Sequence, residues 1–128
     1  MINSVYRLIA PGMIDIACTQ PDIKNSVLLR PLYLSVCKAD QRYYLGKRSR
    51  EALKAKLPMA LIHECVAKVV FDPTGNFRPG EIVVPVPNTP TEDDDVIAEN
   101  YRISSRFCSS GYDGFLRDYI DIAPDRLV

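Results

Sequence analysis

The chain has 128 residues, of which 47% are hydrophobic and 25% are charged, and this composition excludes a disordered or low-complexity protein. Sixteen basic residues balance sixteen acidic ones, which argues against nucleic acid or an anionic membrane as the main partner. No apolar run approaches the roughly 20 residues that span a bilayer, and no signal-peptide pattern opens the chain. We therefore expect one cytoplasmic domain.

Short apolar runs separated by prolines and glycines are typical of a domain built mainly from strands. Pro11-Gly12 predicts a hairpin, and Pro31 predicts a bend or bulge within a long strand, because proline cannot donate to a ladder. Asp72-Pro73-Thr74-Gly75 predicts a turn. The predicted strands cover residues 5–10, 13–18, 26–36, 62–71, 81–86 and 118–122. Together they indicate a single, partly open β-barrel.

Two short helices complete the prediction. Ser49 is a suitable N-cap for a helix over residues 49–56, in which Glu51 and Lys54 are three positions apart. A second helix is predicted over residues 94–100, behind the acidic run 92–95. Acidic side chains favour a first helical turn, so a solvated helix start is the simplest interpretation of that run, with a cation site as the alternative.

The thiols and the single histidine are the candidates for chemistry. Without a C-x-x-C pair, the cysteines indicate neither a disulfide framework nor a structural zinc knuckle. His63 is followed directly by Glu64, and Asp40 lies three residues after Cys37. Taken alone, these residues fit a small buried thiol and a structural His–Glu pair, a metal site, or a Cys–His nucleophile pair, with Asp40 orienting the imidazole in either chemical scheme. The four cysteines are Cys18, Cys37, Cys65 and Cys108.

The segment around the histidine, Leu61-Ile62-His63-Glu64-Cys65-Val66, resembles the His–Glu signature of the zinc-dependent medium-chain dehydrogenases/reductases. Upstream, Cys37-Lys38-Ala39-Asp40 resembles the Cys-x-x-Asp segment of that family. Residues 77–83 resemble its glycine turn into a strand, and residues 114–119 resemble its Gly-Phe-Ala-Glu-Tyr region. Order and spacing match over essentially the whole chain. The resemblance implies that residues 1–128 are a GroES-like catalytic domain, the N-terminal part of a longer enzyme.

One branch of the family is more similar. Several stretches resemble the ribulose-5-phosphate reductases, which supply ribitol 5-phosphate for CDP-ribitol and for teichoic acids or capsules. The resemblance implies reduction of ribulose 5-phosphate by NADPH. Another zinc-dependent polyol or alcohol dehydrogenase, or a non-catalytic GroES-like interaction module, remains open as an alternative. The stretches are residues 30–33, 39–44, 87–92, 94–101 and 109–111.

The same resemblance implies a catalytic zinc held by Cys37 and His63, with Glu64 as a further ligand or a nearby base. Asp40 is then the expected partner of His63. Because neighbouring residues on a strand point to opposite faces, His63 and Glu64 can share one ion only if the backbone bends between them.

A phosphorylated substrate needs cationic or backbone donors. We expect Arg42 to bind the phosphate with Tyr43 beside it, and the alternative is that both simply pack the loop.

Some features of the family are missing. Ala39 stands where many members carry a Ser or Thr proton relay, so the proton is expected from water, from Glu64 or from outside this chain. The four-cysteine structural-zinc lobe is absent. Without a G-x-G-x-x-G motif, NADPH is expected to bind mainly to a separate nucleotide-binding domain. We expect no turnover from this chain alone, a homo-oligomer at full length, and association with a ribitol-5-phosphate cytidylyltransferase.

Overall fold

The computed structural model describes residues 1–92, 96, 99 and 104–128. Strands dominate, as the sequence predicts, and the described residues form two short α-helices and no closed barrel. The helix predicted over residues 94–100 lies outside the described residues except for Val96 and Glu99. The strands are β1 (Asn3–Ala10), β2 (Met13–Thr19), β3 (Val27–Ser35), β4 (Met59–Ala60), β5 (Glu64–Phe71), β6 (Ile82–Val83), β7 (Asn88–Thr89), β8 (Arg106–Phe107) and β9 (Ile120–Ile122). The helices are α1 (Lys38–Tyr44) and α2 (Arg50–Lys56), with a 3-10 turn at Pro124–Arg126.

The first sheet has the order β2-β1-β4 and is antiparallel throughout. The hairpin predicted at Pro11-Gly12 joins β1 to β2, and Gly12 takes a φ of 73°, a conformation that glycine adopts without a steric penalty. The outer strand β2 leaves Met13, Ile14 and Ile16 exposed.

The second sheet has the order β6-β5-β3-β9. Its central pair is β3 and β5, whose register shifts between Pro31 and Tyr33, and this confirms the irregularity that Pro31 predicts. A third, two-stranded sheet pairs β7 with β8. The strand predicted from residue 62 begins instead at Glu64, because the backbone turns at Ile62, which has a positive φ.

Two clusters of buried side chains hold the sheets together. The sheet core is built from inward-facing residues of β3, β5, β6 and β9 together with Phe115, and its side chains alternate along the strands as a half-buried sheet requires. Its members are Val27, Leu29, Cys65, Ala67, Val69, Val83, Phe115 and Ile120. The site-side core joins β1 and β4 to α1 and to the turn before β5. Its members are Leu8, Tyr43, Met59, Leu61 and Ile62.

The two helices differ in how well the sequence anticipates them. Helix α2 confirms the prediction, because Ser49 Oγ accepts a hydrogen bond from the Ala52 N–H at 3.2 Å. Helix α1 was not predicted. It begins after Cys37, whose backbone N–H donates to the carboxylate of Asp40 at 3.1 Å in a capping box. Cysteine is not a usual N-cap residue, so this start signal is not apparent from composition.

The two ends of the described fold are joined by one buried side chain. Asn3 Nδ2 donates to the Tyr119 carbonyl at 2.7 Å, and the Tyr119 N–H donates to Asn3 Oδ1 at 2.9 Å. Beside this pair, Val5 forms a β-bridge with Arg117. The start of β1 is therefore held by residues more than a hundred positions later. None of the helices that the structure describes is long and apolar enough to cross a membrane.

Candidate metal centre

Three side chains from separate parts of the chain converge where β3, α1 and the start of β5 meet. One potential ligand atom from each of Cys37, Asp40 and His63 lies within 4.8 Å of the other two. The Sγ atom of Cys37 is 3.9 Å from Nδ1 of His63. Among the described residues, this is the group of His, Cys, Asp and Glu side chains able to hold a metal ion.

Asp40 holds the two halves of the cluster together. Its side chain is buried, and Oδ2 accepts the Cys37 N–H at 3.1 Å and lies 3.3 Å from the Cys37 sulfur. Its other oxygen, Oδ1, accepts the N–H of Ile62 at 2.9 Å. Asp40 was expected to contact the imidazole of His63. Its hydrogen bonds instead go to Cys37 and to the backbone immediately before His63, so it positions both residues through the main chain.

The backbone turns sharply just before the histidine. Ile62 has a φ of 74°, in the left-handed region that a β-branched residue rarely occupies. The Asp40 carboxylate holds its N–H, and the Phe115 N–H donates to its carbonyl at 2.7 Å. Gly114 leaves room for this turn, since a Cβ there would collide with the carbonyl oxygens of Leu61 and Ile62. This turn ends the extended backbone expected at residues 62 and 63, and β5 begins at Glu64.

Two residues that sequence reasoning missed complete the surroundings of His63. The ring of Phe107 lies 5.4 Å from the imidazole, centroid to centroid, at an interplanar angle of 59°. Ser109 Oγ is 3.3 Å from Nδ1 of His63, and Ser109 has a φ of 65°. The stretch 109–111 carries part of the family resemblance, but nothing local in the sequence indicates that it meets residue 63.

Glu64 lies on the other edge of the imidazole. Its Oε1 atom is 3.8 Å from Nε2 of His63, whereas Cys37 and Ser109 face Nδ1. The Glu64 side chain is 52% exposed. The predicted ligand set was Cys37, His63 and Glu64, and the set that the structure brings together is Cys37, Asp40 and His63. The two histidine nitrogens therefore face different candidate ligands.

The distances suit zinc. Zinc–thiolate and zinc–imidazole bonds of about 2.3 and 2.1 Å allow a sulfur and a nitrogen bound to one ion to be up to about 4.4 Å apart. The separation of 3.9 Å between Cys37 Sγ and His63 Nδ1 falls within that limit. Thiolate and imidazole are also the donors that zinc prefers. The residues present fit a zinc ion held between Cys37 and His63.

The other described thiols are less suited to metal binding or nucleophilic attack. Burial raises the pKa of Cys65, which follows the His–Glu pair, to about 11. Burial also raises the pKa of Cys108, and the nearby positive charge of Arg117 only partly opposes this. Both therefore stay protonated near neutral pH. Cys18 is exposed on β2, away from the cluster.

A cavity of about 480 Å³ opens beside the cluster, with His63 and Glu64 in its wall. The rest of the lining comes from the end of β3, from β5 and from the prolines after β6, and it is mainly apolar. This size accommodates a small organic substrate. The polar groups of His63 and Glu64 lie where they could reach such a molecule.

Arg42 and Tyr43, the residues of α1 predicted to bind phosphate, have different surroundings in the structure. Tyr43 is only 3% exposed and belongs to the site-side core, with the guanidinium of Arg48 4.7 Å from its ring centroid. For Tyr43, the packing alternative therefore describes what the structure shows. Arg42 is exposed, but it does not line the cavity beside His63 and Glu64. Its role in phosphate binding stays a prediction.

Known proteins resemble the chain in sequence and in fold. No model of a known protein family matches the chain. The chain is 57% identical, over its whole length, to ribulose-5-phosphate reductase 2 of Staphylococcus aureus, and it spans 38% of that relative. Among solved structures, S. aureus TarJ in complex with NADPH matches all of the chain, with 33% of TarJ covered, at 43% identity and a TM-score of 0.76. L-idonate 5-dehydrogenase of Escherichia coli matches with a TM-score of 0.85 at 20% identity, covering all of this chain and 39% of that one.

The chain thus shares the fold of part of L-idonate 5-dehydrogenase, in agreement with the mainly β, GroES-like fold that the sequence resemblance implies. Within that class, the chain is a homologue of part of the ribulose-5-phosphate reductases.

Proposed function

We propose that this chain is the catalytic-domain portion of a zinc- and NADPH-dependent enzyme that reduces D-ribulose 5-phosphate to D-ribitol 5-phosphate. The observation that carries the proposal is the convergence of Cys37, Asp40 and His63 at one point of a chain that is 57% identical to such a reductase. A purely structural module has no need of a thiol, a carboxylate and an imidazole held together beside a cavity.

In this proposal, Cys37 and His63 hold the zinc ion. When bound, zinc supplies a Lewis acid that polarises the ketone oxygen, which is what carbonyl reduction requires. Asp40 holds the Cys37 sulfur and the Ile62 N–H, so the two ligands are positioned before the metal arrives. Phe107 and Ser109 restrict the rotation of the imidazole ring.

Glu64 is the group that we assign to proton handling. Its carboxylate lies at the cavity wall and is half exposed, so it can exchange protons with water while remaining 3.8 Å from His63 Nε2. Ala39 offers no hydroxyl for a relay. A carboxylate that contacts both solvent and the imidazole can deliver a proton to the alkoxide that hydride transfer leaves behind.

The remaining functions belong to parts of the protein beyond these residues. The chain spans 38% of the reductase that it matches, so we propose that a separate nucleotide-binding domain holds most of the NADPH. We also retain, as parts of the proposal, a cytoplasmic location, a homo-oligomeric full-length enzyme, and association with a cytidylyltransferase that consumes ribitol 5-phosphate for CDP-ribitol.

The first test measures zinc in the full-length enzyme by mass spectrometry. We expect about one zinc per chain at this site in the wild type and loss of that zinc in Cys37→Ser. Cys18→Ser is the matched control, because Cys18 is exposed on β2 and is not part of the cluster. Equal zinc content in the two variants would remove the proposed metal centre.

The second test concerns the substrate. The full-length enzyme, assayed with NADPH, is expected to reduce ribulose 5-phosphate far faster than unphosphorylated ribulose. Equal rates on the two ketoses would favour the alternative of a general polyol or alcohol dehydrogenase. The same assay on Arg42→Gln shows whether Arg42 contributes, because a phosphate contact should raise KM for the phosphorylated ketose only.

A further inference from the structure

A second cavity, separate from the one beside His63, collects three arginines. It has a volume of about 230 Å³ and lies between β9, the residues around β8 and the 3-10 turn near residue 125. Arg106, Arg117 and Arg126 all line it, together with hydroxyl-bearing residues such as Thr89 and Tyr112. We call it the arginine cavity. Three arginines in the lining of so small a cavity provide the donors that phosphate recognition uses.

The positive charges of the arginine cavity are only partly balanced. In the lining that the structure describes, Asp121 is the one carboxylate, and it accepts a hydrogen bond from Arg117 at 3.2 Å. Arg126 is paired bidentately with Glu99 and lies 3.7 Å from Asp125, but both of those carboxylates are exposed and line a neighbouring cavity instead. Exposed carboxylates are screened by water and offset a buried cation incompletely.

Two of the arginines are largely buried and have an unpaired nitrogen. The side chains of Arg117 and Arg126 are 14% and 12% exposed, and the Nε atom of each is buried without a hydrogen-bond partner. Burying a charged group without full compensation is unfavourable, and such groups are usually explained by a ligand or a function. An anion in the adjoining cavity would offer an acceptor for such N–H groups.

Arg106 is the accessible member of the three. It is exposed, its guanidinium stacks 5.5 Å from the ring centroid of Tyr112, and it forms no ion pair with the residues that the structure describes. A stacked guanidinium keeps its N–H edges available for a ligand. Arg106 can therefore donate hydrogen bonds to an anion that the two buried arginines attract.

The arginine cavity and the metal centre share one short segment of chain. Arg106 and Cys108 line the cavity, whereas Phe107 and Ser109 contact His63. A ligand held by Arg106 is therefore bound by the residue next in sequence to Phe107, which contacts the imidazole.

We propose that the arginine cavity binds a phosphate dianion, either free or carried on a small phosphate monoester. Such a group carries a charge close to −2 near neutral pH. It would bind to Arg106, which has no carboxylate partner among the described residues, beside Arg117 and Arg126, whose partners are Asp121 and Glu99. The existence of the site is independent of the proposed reductase function. Only the identification of ribulose 5-phosphate as one source of the phosphate rests on that function.

The test is isothermal titration calorimetry with inorganic phosphate on the full-length protein that carries this chain, without substrate or cofactor. We expect saturable binding that Arg106→Gln weakens about tenfold, the loss expected for one hydrogen bond between charged groups. Arg78→Gln is the matched control, because Arg78 is exposed, carries the same charge and lines none of the cavities described above. It should change the affinity less than twofold.

A second variant distinguishes loss of the phosphate contact from misfolding and from a general loss of positive charge. Arg117→Lys keeps the charge but cannot form the planar, two-pronged contact, so phosphate affinity should again fall while far-UV circular dichroism is unchanged. The proposal would be overturned if no binding were detected at phosphate concentrations of about 20 mM, well above the Kd of about 1 mM that a weak ligand has. Equal weakening of phosphate binding in Arg106→Gln and Arg78→Gln would also overturn it. Neither result would affect the zinc measurement, so failure here is distinguishable from failure of the proposed function.

The same variants identify the source of the phosphate. If ribulose 5-phosphate displaces inorganic phosphate, and Arg106→Gln raises KM for ribulose 5-phosphate but not for ribulose, the substrate's own phosphate occupies the cavity. If phosphate binds and KM is unchanged in Arg106→Gln, a separate phosphate-bearing molecule is the ligand.

Discussion

The sheet core and the site-side core are built on different principles. In the sheet core, alternate residues of β3 and β5 point inward, and each is buried because of where it lies on a strand. In the site-side core, Tyr43 comes from a helix, Met59 from a two-residue strand, and Ile62 from a turn with φ of 74°. That second cluster depends on one carboxylate, Asp40, which joins α1 to the turn.

The difference shows how the fold separates stability from function. The sheet core gains its stability from apolar burial and needs no special backbone. The site-side core accepts a strained residue, Ile62, and a buried carboxyl side chain, Asp40, and both of these place Cys37 beside His63. Strain of this kind persists only where the surrounding structure determines it, and functional sites are where it is usually found.

The largest expected loss of stability comes from removing a large side chain from the sheet core. Phe115 is fully buried there, so Phe115→Ala should lower the free energy of unfolding by about 3–5 kcal/mol, the usual cost of removing a buried aromatic side chain. Urea unfolding followed by far-UV circular dichroism measures this. Phe71→Ala, at an exposed position of β5, is the control and should cost far less. Similar losses in both would mean that the sheet core does not dominate stability.

The second-largest loss of stability is expected from Asp40→Asn in the site-side core. The amide keeps one acceptor oxygen but turns an N–H₂ group toward a backbone or thiol donor, so we expect a loss of about 2–3 kcal/mol. Zinc content should fall with it, because Cys37 and the turn before His63 lose their common partner. Asp15→Asn, on the exposed face of β2, provides the control. A variant with full zinc content would show that Asp40 is not needed to position the ligands.

Asp113 joins β1 to β4, because its carboxylate binds Arg7 of β1 and the N–H of Ala60 of β4. The stability that this contact contributes should depend on pH. Burial alone raises the pKa of Asp113, but the hydrogen bonds from Arg7 and Ala60 and the charges of Arg7 and Arg117 outweigh it and lower the pKa overall. A lowered pKa stabilises the fold above the unfolded value of about 4, and that stabilisation is lost as the pH falls through the folded pKa.

The matching experiment compares Asp113→Asn with the wild type at pH 7, 5 and 3. At pH 7 and 5 the variant should be less stable by about 1–3 kcal/mol, and the gap should narrow at pH 3. Other carboxylates with lowered pKa values, such as Asp22 and Asp72, are common to both proteins and cancel in the difference. A gap that stays constant from pH 7 to pH 3 would contradict the assignment.

The smallest loss of stability is expected at Ser109, the second residue with a positive φ outside glycine. Ser109 has a φ of 65°, so Ser109→Ala should cost about 1 kcal/mol because it loses the hydroxyl and keeps the strain. Ser109→Gly loses the same hydroxyl but relieves the strain, and it should be close to the wild type in thermal stability. If both variants weaken zinc binding equally, the hydroxyl is what His63 requires. If only Ser109→Ala does so, backbone shape is the cause.

Much of the fold was accessible from the sequence because strands carry their signals locally. Stretches rich in β-branched and other apolar residues predict β3 and β5, Pro31 predicts the shift in their pairing, and Pro11-Gly12 predicts the first hairpin. Ser49 predicts the start of α2. In each case, the residue that produces the structure lies within a few positions of the structure it produces.

The site was only partly accessible because its determinants are distant in sequence. Cys37, Asp40 and His63 were singled out and do converge. The contacts of Phe107 and Ser109 with His63 cross more than forty residues and have no local signal. The left-handed turn at Ile62 contradicts the preference of a β-branched residue, and the Asp40 carboxylate and Gly114 make it possible. For the same reason, the expected Asp40–imidazole contact was replaced by a backbone contact.

The side chain of Asn3 has a consequence for how the protein is made. Both of its hydrogen bonds go to Tyr119, so β1 cannot be completed until residue 119 has been synthesised and has left the ribosome. Until then, the hairpin of β1 and β2 can form, but its inner edge has no partner from residues 115–118. A nascent chain in this state exposes apolar strand edges, which favours aggregation and chaperone binding. Residues 115–119 therefore determine when the inner edge of β1 is covered in the nascent chain.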